Sequence, residues 1–140
     1  MKLVRLIAVW TLGFLGISAI VGAIPLILSP QGDLLHMPLS MLEHSPFHSF
    51  LIPGIILLLA NGALSFVALY QLLKRRNGYS WWVAFQGCVI SGWIVVEVIM
   101  FRAVAWLHVL YLAVGLILIA SGLALTREAK IESRKLPAKN

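Results

Sequence analysis

Glu97 and His108 are the two side chains in this sequence best placed to do chemistry, because each stands alone in a long apolar run. Glu97 is the only acid between Trp81 and Phe101, and His108 the only histidine between Ala103 and Leu125. They flank Arg102 by five and six residues. If the chain turns near Arg102, both lie roughly 7 to 9 Å along their helices from the bend, at 1.5 Å per residue. A carboxylate and an imidazole at matched depth form an acid–base pair or a hydrogen-bonded polar patch. An ionised Glu near the centre of a bilayer costs about 2.5 to 3.5 kcal/mol on insertion scales, so the carboxyl needs a partner or a proton. His108 and Arg102 are the available partners. Arg102 is the poorer one by helix geometry, since a spacing of five turns it about 140° away from Glu97.

Other polar groups share faces with this pair. Gln86, Ile90, Trp93 and Glu97 recur at helical spacing, as do His108, Tyr111, Gly115 and Gly122, and likewise Phe47, Gly54 and Asn61. Polar members of such stripes must face protein or water and not lipid. The expectation is one interior pocket that opens outward, with Glu97, His108, Asn61, Trp93, Tyr111, Arg102 and His48 as candidate ligand-binding residues. In the plainer reading, Glu97, His108 and Asn61 only hold helices together. A metal site is the sharper alternative. His44 and His48 have the i, i+4 spacing of a chelating pair, and His108 with Glu97 completes a four-ligand set. Ser45-Pro46 interrupts that spacing and no HExxH signature is present, so no metal or other cofactor is expected. No Ser–His–Asp arrangement is apparent. The single cysteine, Cys88, is read as a small packing residue.

The elements that position these residues follow from composition. Of 140 residues 61% are hydrophobic and 11% charged, against roughly 25% charged in a soluble domain. Four apolar runs, at about residues 6–28, 50–73, 81–101 and 103–125, are each long enough to cross roughly 30 Å of hydrocarbon as a helix. None alternates polar with apolar residues, which excludes a β-barrel. The expected fold is an all-α integral membrane four-helix bundle over residues 1–125, with a basic tail at 126–140. Lys2 and Arg5 before the first run, and Val21-Gly22-Ala23 within it, resemble a secretory signal. The run is long for one, however, and a retained first span is expected, bent near Gly22 and Pro25.

Ten of the eleven basic residues lie before the first run, between the second and third, or after the fourth. The positive-inside rule then places both termini in the cytoplasm. Tyr70, Tyr79, Trp81 and Trp82 fall at the inner interface and Trp106 at the outer one. The net charge of +6 reflects this orientation and does not indicate nucleic-acid binding. The tail is expected to continue the last helix for a turn or two and to meet anionic lipid.

Residues 29–49 form the one long connection, too apolar for free solution. Ser40-Met-Leu-Glu43 has the form of a capping box, and Ser45-Pro46 that of a second helix start. A short helical piece near 40–44 and a second helix from Pro46 are expected, with a kink at Pro53-Gly54. Small residues at four-residue spacing, Ser18 and Gly22, Gly87 and Ser91, Cys88 and Gly92, suit close helix packing in lipid.

Leu28-Ser-Pro-Gln-Gly, Met37-Pro-Leu-Ser-Met-Leu, Ser45-Pro-Phe, Leu51-Ile-Pro-Gly, Asn61-Gly62 and Gly92-Trp-Ile-Val-Val-Glu together resemble a group of small bacterial inner-membrane proteins. Those proteins are distantly similar in size and topology to DoxX-like four-helix proteins. The resemblance covers the spans and the outer loop, and it implies a four-helix bundle in a bacterial inner membrane. It brings no activity or site. Similar sequences tend to carry Gln where this one has Glu97 and His108, so no acid–base role is implied.

Three functions remain. The leading one is a non-enzymatic protein that binds an apolar molecule, a lipid or a partner subunit through the outward pocket. The others are a membrane-embedded enzyme using Glu97 and His108 as acid–base pair, and a small transporter or channel assembled as a homo-oligomer or within a larger complex.

Overall fold

The computed structural model describes residues 2–43, 45–102 and 104–135. It is an all-α bundle of four long helices, α1 (Lys2–Leu28), α2 (Leu51–Leu73), α3 (Tyr79–Phe101) and α4 (Trp106–Lys135). Each contains an apolar window of spanning length. Large apolar side chains cover the outside, including Trp10, Ile17, Leu28, Ile99 and Leu116, all more than half exposed. Water does not tolerate an apolar surface of that extent, and lipid does. The chain is a multi-pass membrane protein.

The core follows one stripe of each helix. Ala8, Leu12 and Leu15 of α1 meet Ala68 and Leu72 of α2, Val83 and Ile90 of α3, and Leu118 and Leu125 of α4. The closest seam joins α3 to α4. A methyl group built on Gly87 would stand 2.6 Å from the Gly115 carbonyl oxygen, and one on Gly122 would stand 2.5 Å from the Ala84 nitrogen. Backbones that approach this closely have no room for a Cβ, the usual means by which helices pack without a hydrophobic drive between them. Gly87 and Ser91 belong to this seam. Cys88 is exposed and Gly92 has open space around it, so the third small pair faces outward. Arg5, at the start of α1, donates to the Leu72 carbonyl at the end of α2 and lies over the Tyr79 ring, 5.5 Å from its centroid.

The 29–49 connection differs in detail from its expected form. Its helical pieces are 3₁₀ turns, Asp33–Leu35 and Leu39–Leu42. Ser40 does not cap. It lies inside the second turn, which follows extended Pro38, and among the described residues it is engaged through its carbonyl, by the Glu43 N–H at 3.1 Å. A helical piece this short is completed by backbone bonds, so a capping box has nothing to satisfy. Nor does a helix start at Pro46. The Ser45 hydroxyl donates to the Leu42 carbonyl (2.9 Å) and accepts from the Phe47 N–H (3.3 Å). This local turn competes successfully with helix formation, as Ser side chains do. Helix α2 starts at Leu51, and Pro53 therefore falls in its first turn, where the missing N–H breaks no helical bond.

The Phe50 N–H donates to the Pro30 carbonyl at 2.8 Å and closes the neck of the connection. Gly32, with φ of 87°, permits this, since a side chain there would strike the Met37 carbonyl. Leu42 and Phe50 are buried with Leu26, with Met37, Met41, Phe47 and Phe101 packed around them. The segment folds over one end of the bundle. Proteinase K acting on the detergent-solubilised protein should therefore cut residues 36–43 at least about tenfold more slowly than it cuts them in the heat-unfolded protein. Equal rates would show the segment to be free.

The irregularity in α2 lies deeper than Pro53. Residues Leu57–Ala63 form a π-helical stretch of seven residues between α-helical Leu51–Ile56 and Leu64–Leu73. Such stretches mark places where packing overrides the regular ladder. Gly62 here lies against Ile20 and the Gly16 carbonyl of α1. At the far end of the chain α4 does not stop where the apolar run stops. It continues unbroken past Thr126 to Lys135, so no structural break separates bundle from tail.

Candidate functional site

Helix α3 ends at Phe101, the φ of 52° at Arg102 turns the chain out of the helix, and α4 begins at Trp106. This hairpin brings Glu97 and His108 together, with His108 Nε2 3.2 Å from Glu97 Oε2. Both side chains are largely withdrawn from the surface, 22% and 12% exposed respectively. His108 Nδ1 accepts the Ala105 N–H at 2.9 Å. A nitrogen that accepts carries its lone pair, so the ring proton is on Nε2 and is donated to the carboxylate. Both imidazole nitrogens are thus engaged. Trp93, one turn earlier on α3, lines the same cavity and brings an indole N–H donor beside this carboxyl.

The pair forms the polar end of a cavity of about 390 Å³. Leu15, Ser18, Ala19, Gly22 and Leu26 of α1 form one wall. Ile90, Trp93, Ile94 and Phe101 of α3 and Leu107 and Tyr111 of α4 form the other, with Leu57 of α2 and Met37 and Met41 of the connecting segment across the top. The Tyr111 ring stacks on Phe14 with centroids 6.1 Å apart, joining α1 to α4 beside the cavity.

Of the residues expected at one site, Glu97, His108, Trp93 and Tyr111 line this cavity, and Asn61, Arg102 and His48 do not. Arg102 closes α3 with its side chain exposed, and His48 is exposed in the connecting segment. Asn61 is fully buried, and neither polar atom of its amide has a partner among the described residues. The neighbouring Ala60 carbonyl accepts Gln86 Nε2 at 3.0 Å. The polar groups that were expected to converge thus divide into a cavity lining and a separate buried contact between α2 and α3. Of the candidate metal ligands, His44 lies outside the described residues. No group of three His, Cys, Asp or Glu side chains comes together among the described residues.

Sequence reasoning passed over Met37, Met41, Leu57, Ser18 and Gly22 as lining residues. Ser18 and Gly22 carried a usable signal, because a small pair need not receive a neighbouring backbone. The atom nearest a methyl built on Gly22 is a Leu57 methyl, 3.7 Å away, in ordinary contact, and the room left over belongs to the cavity. Searches against protein-family models, curated proteins and solved structures return no match to this chain, and its function has to be read from the site.

Proposed function

We propose that this protein binds an amphipathic molecule in the cavity, with an apolar body along α1 and a hydrogen-bond-donating head at Glu97. One observation carries the reading: a single carboxylate–imidazole pair terminates an otherwise apolar cavity of about 390 Å³ between membrane-spanning helices. The size falls within the range of roughly 300–1,000 Å³ usual for small-molecule sites. Lipid tails are as apolar as leucine, so an alkyl body gains little by moving from bilayer to cavity. Selection then rests on the head and on shape. A carboxyl group has acceptor positions beyond the bonds it takes from His108 and Trp93, which suits a hydroxyl or an ammonium.

The acid–base enzyme reading is less well supported. His108 Nδ1 is held by the Ala105 N–H, so the ring cannot relay a proton through to its other side. The Ser18 hydroxyl, which lines the cavity, is turned to the Leu15 carbonyl at 3.2 Å.

A photoactivatable long-chain alcohol tests the binding reading against the methyl ether of the same chain. The alcohol should label peptides from α1 and α3 and be displaced by excess unlabelled alcohol. Equal labelling by both compounds would overturn the role of the head.

The proposal extends to orientation: a bacterial inner membrane, with both termini cytoplasmic and the cavity and connecting segment outside. The basic residues support it, with all but Arg102 on the side of the termini. In a Cys88→Ser background, an impermeant maleimide applied to intact cells should label Ser40→Cys and not Asn77→Cys. Labelling of Asn77→Cys would reverse the assignment.

A further inference from the structure

We infer that the opposite end of the bundle carries a second site, one that binds a phosphate group, in a cleft between the start of α3 and the last turns of α4. The cleft has a volume of about 530 Å³ and is lined by Ser80, Trp81, Thr126, Lys130, Ser133 and Arg134. Thr126, Lys130, Ser133 and Arg134 stand at i, i+4, i+7 and i+8, so they share one stripe of α4. The stripe faces α3, to which it is fastened by the Thr126–Ser80 hydroxyl contact of 2.8 Å.

Charge is sorted across this helix. The acids of the same segment, Glu128 and Glu132, fall about 100° or more from every member of the stripe at 100° per residue, and neither lines the cleft. The lining therefore contains two cations and no carboxylate. Its donors are of the kind that recognise phosphate: a planar guanidinium able to bind two oxygens at once, an ammonium, the Ser133 hydroxyl and the Trp81 indole N–H. The hydroxyls of Ser80 and Thr126 are turned to one another and form the floor.

Depth indicates where such a phosphate is met. Thr126 directly follows the apolar part of α4, and Trp81, 58% exposed, opens that of α3. Tryptophan at the end of a span settles at the level of the lipid headgroups. A phosphate group at this depth comes either from a phospholipid headgroup or from a soluble phosphate that reaches the interface, and the chemistry of recognition is the same for both. The site stands at the other end of α4 from Glu97 and His108 and does not depend on the cavity having a ligand.

The test uses the full chain in dodecylmaltoside, titrated with dihexanoyl phosphatidylglycerol, dihexanoyl phosphatidylcholine and inorganic phosphate. Binding is read by native mass spectrometry and by shift of the thermal midpoint. The Lys130→Gln/Arg134→Gln double variant should bind phosphatidylglycerol at least tenfold more weakly than the parent. Lys74→Gln/Arg75→Gln removes the same charge from outside the cleft and should change binding less than twofold. Phosphatidylglycerol bound well above inorganic phosphate identifies the lipid as source. Inorganic phosphate bound as tightly identifies a soluble source and equally supports the site. Equal losses in both double variants would reduce the effect to diffuse attraction between a basic surface and anions, and would overturn the proposal. No binding of phosphatidylglycerol or of inorganic phosphate would do the same, whatever the binding of phosphatidylcholine.

Discussion

Gly87→Ala is expected to destabilise the bundle by about 1–3 kcal/mol, the usual cost of adding a methyl where packing leaves no room for it. The added carbon would stand 2.6 Å from the Gly115 oxygen and 2.7 Å from the Ile119 nitrogen. Both atoms are α4 backbone, and neither can move aside as the end of a side chain can. The two helices would have to part by several tenths of an ångström along the seam that Gly115 and Gly122 also form. Gly92→Ala provides the control, because nothing lies within 4 Å of the added methyl. There the better helix propensity of alanine should leave stability unchanged or slightly raised. Thermal unfolding in detergent, followed by circular dichroism, separates the two. Equal midpoints for both variants would mean that α3 and α4 do not approach as described.

Glu97→Gln should weaken binding of the alcohol probe by roughly two- to tenfold, as expected for loss of one hydrogen bond worth about 0.5–1.5 kcal/mol. The amide fills the same space, and its oxygen can still accept from His108 Nε2. What changes is the group presented to the cavity, where a carboxyl oxygen that accepts is replaced by an amide NH₂ that only donates. The fold should therefore survive, with a thermal midpoint close to that of the parent. Preference among head groups should shift at the same time, with a carboxylate-headed chain gaining as the alcohol loses. Glu97→Leu gives a different result, since it strands the His108 N–H and removes an interhelical bond worth roughly 0.6 kcal/mol in membranes. If photolabelling by the alcohol is unchanged in Glu97→Gln, the pair serves helix packing alone.

The residues differ in how far they could be read from order and type alone. The Glu97–His108 pair was legible because a hairpin needs only a turn and a count, and Arg102 supplied both. The Gly87–Ser91 seam was legible from small residues at four-residue spacing, although the same spacing at Cys88 and Gly92 faces outward. Spacing locates a stripe but does not tell which side the neighbouring helix occupies. Asn61 shows a second limit. Its period along the second span matched a common interior, but the π-helical stretch at Leu57–Ala63 re-phases the face that α2 presents. That departure depends on contacts with α1 that no local pattern encodes. At Ser45 two local outcomes compete, a helix cap and a self-contained turn, and a buried Phe50 a few residues later favours the turn.

Helix α4 has a mechanical consequence. It runs from Trp106 to Lys135 without interruption, and His108 and Lys130 sit on it 22 residues apart, about 33 Å at 1.5 Å per residue. It contains no proline and no π-helical stretch to absorb strain, unlike α2. Between those two points α4 is locked to α3 where Gly87, Gly115 and Gly122 bring the backbones together, so the two helices are held as one unit from the His108 end to the Lys130 end.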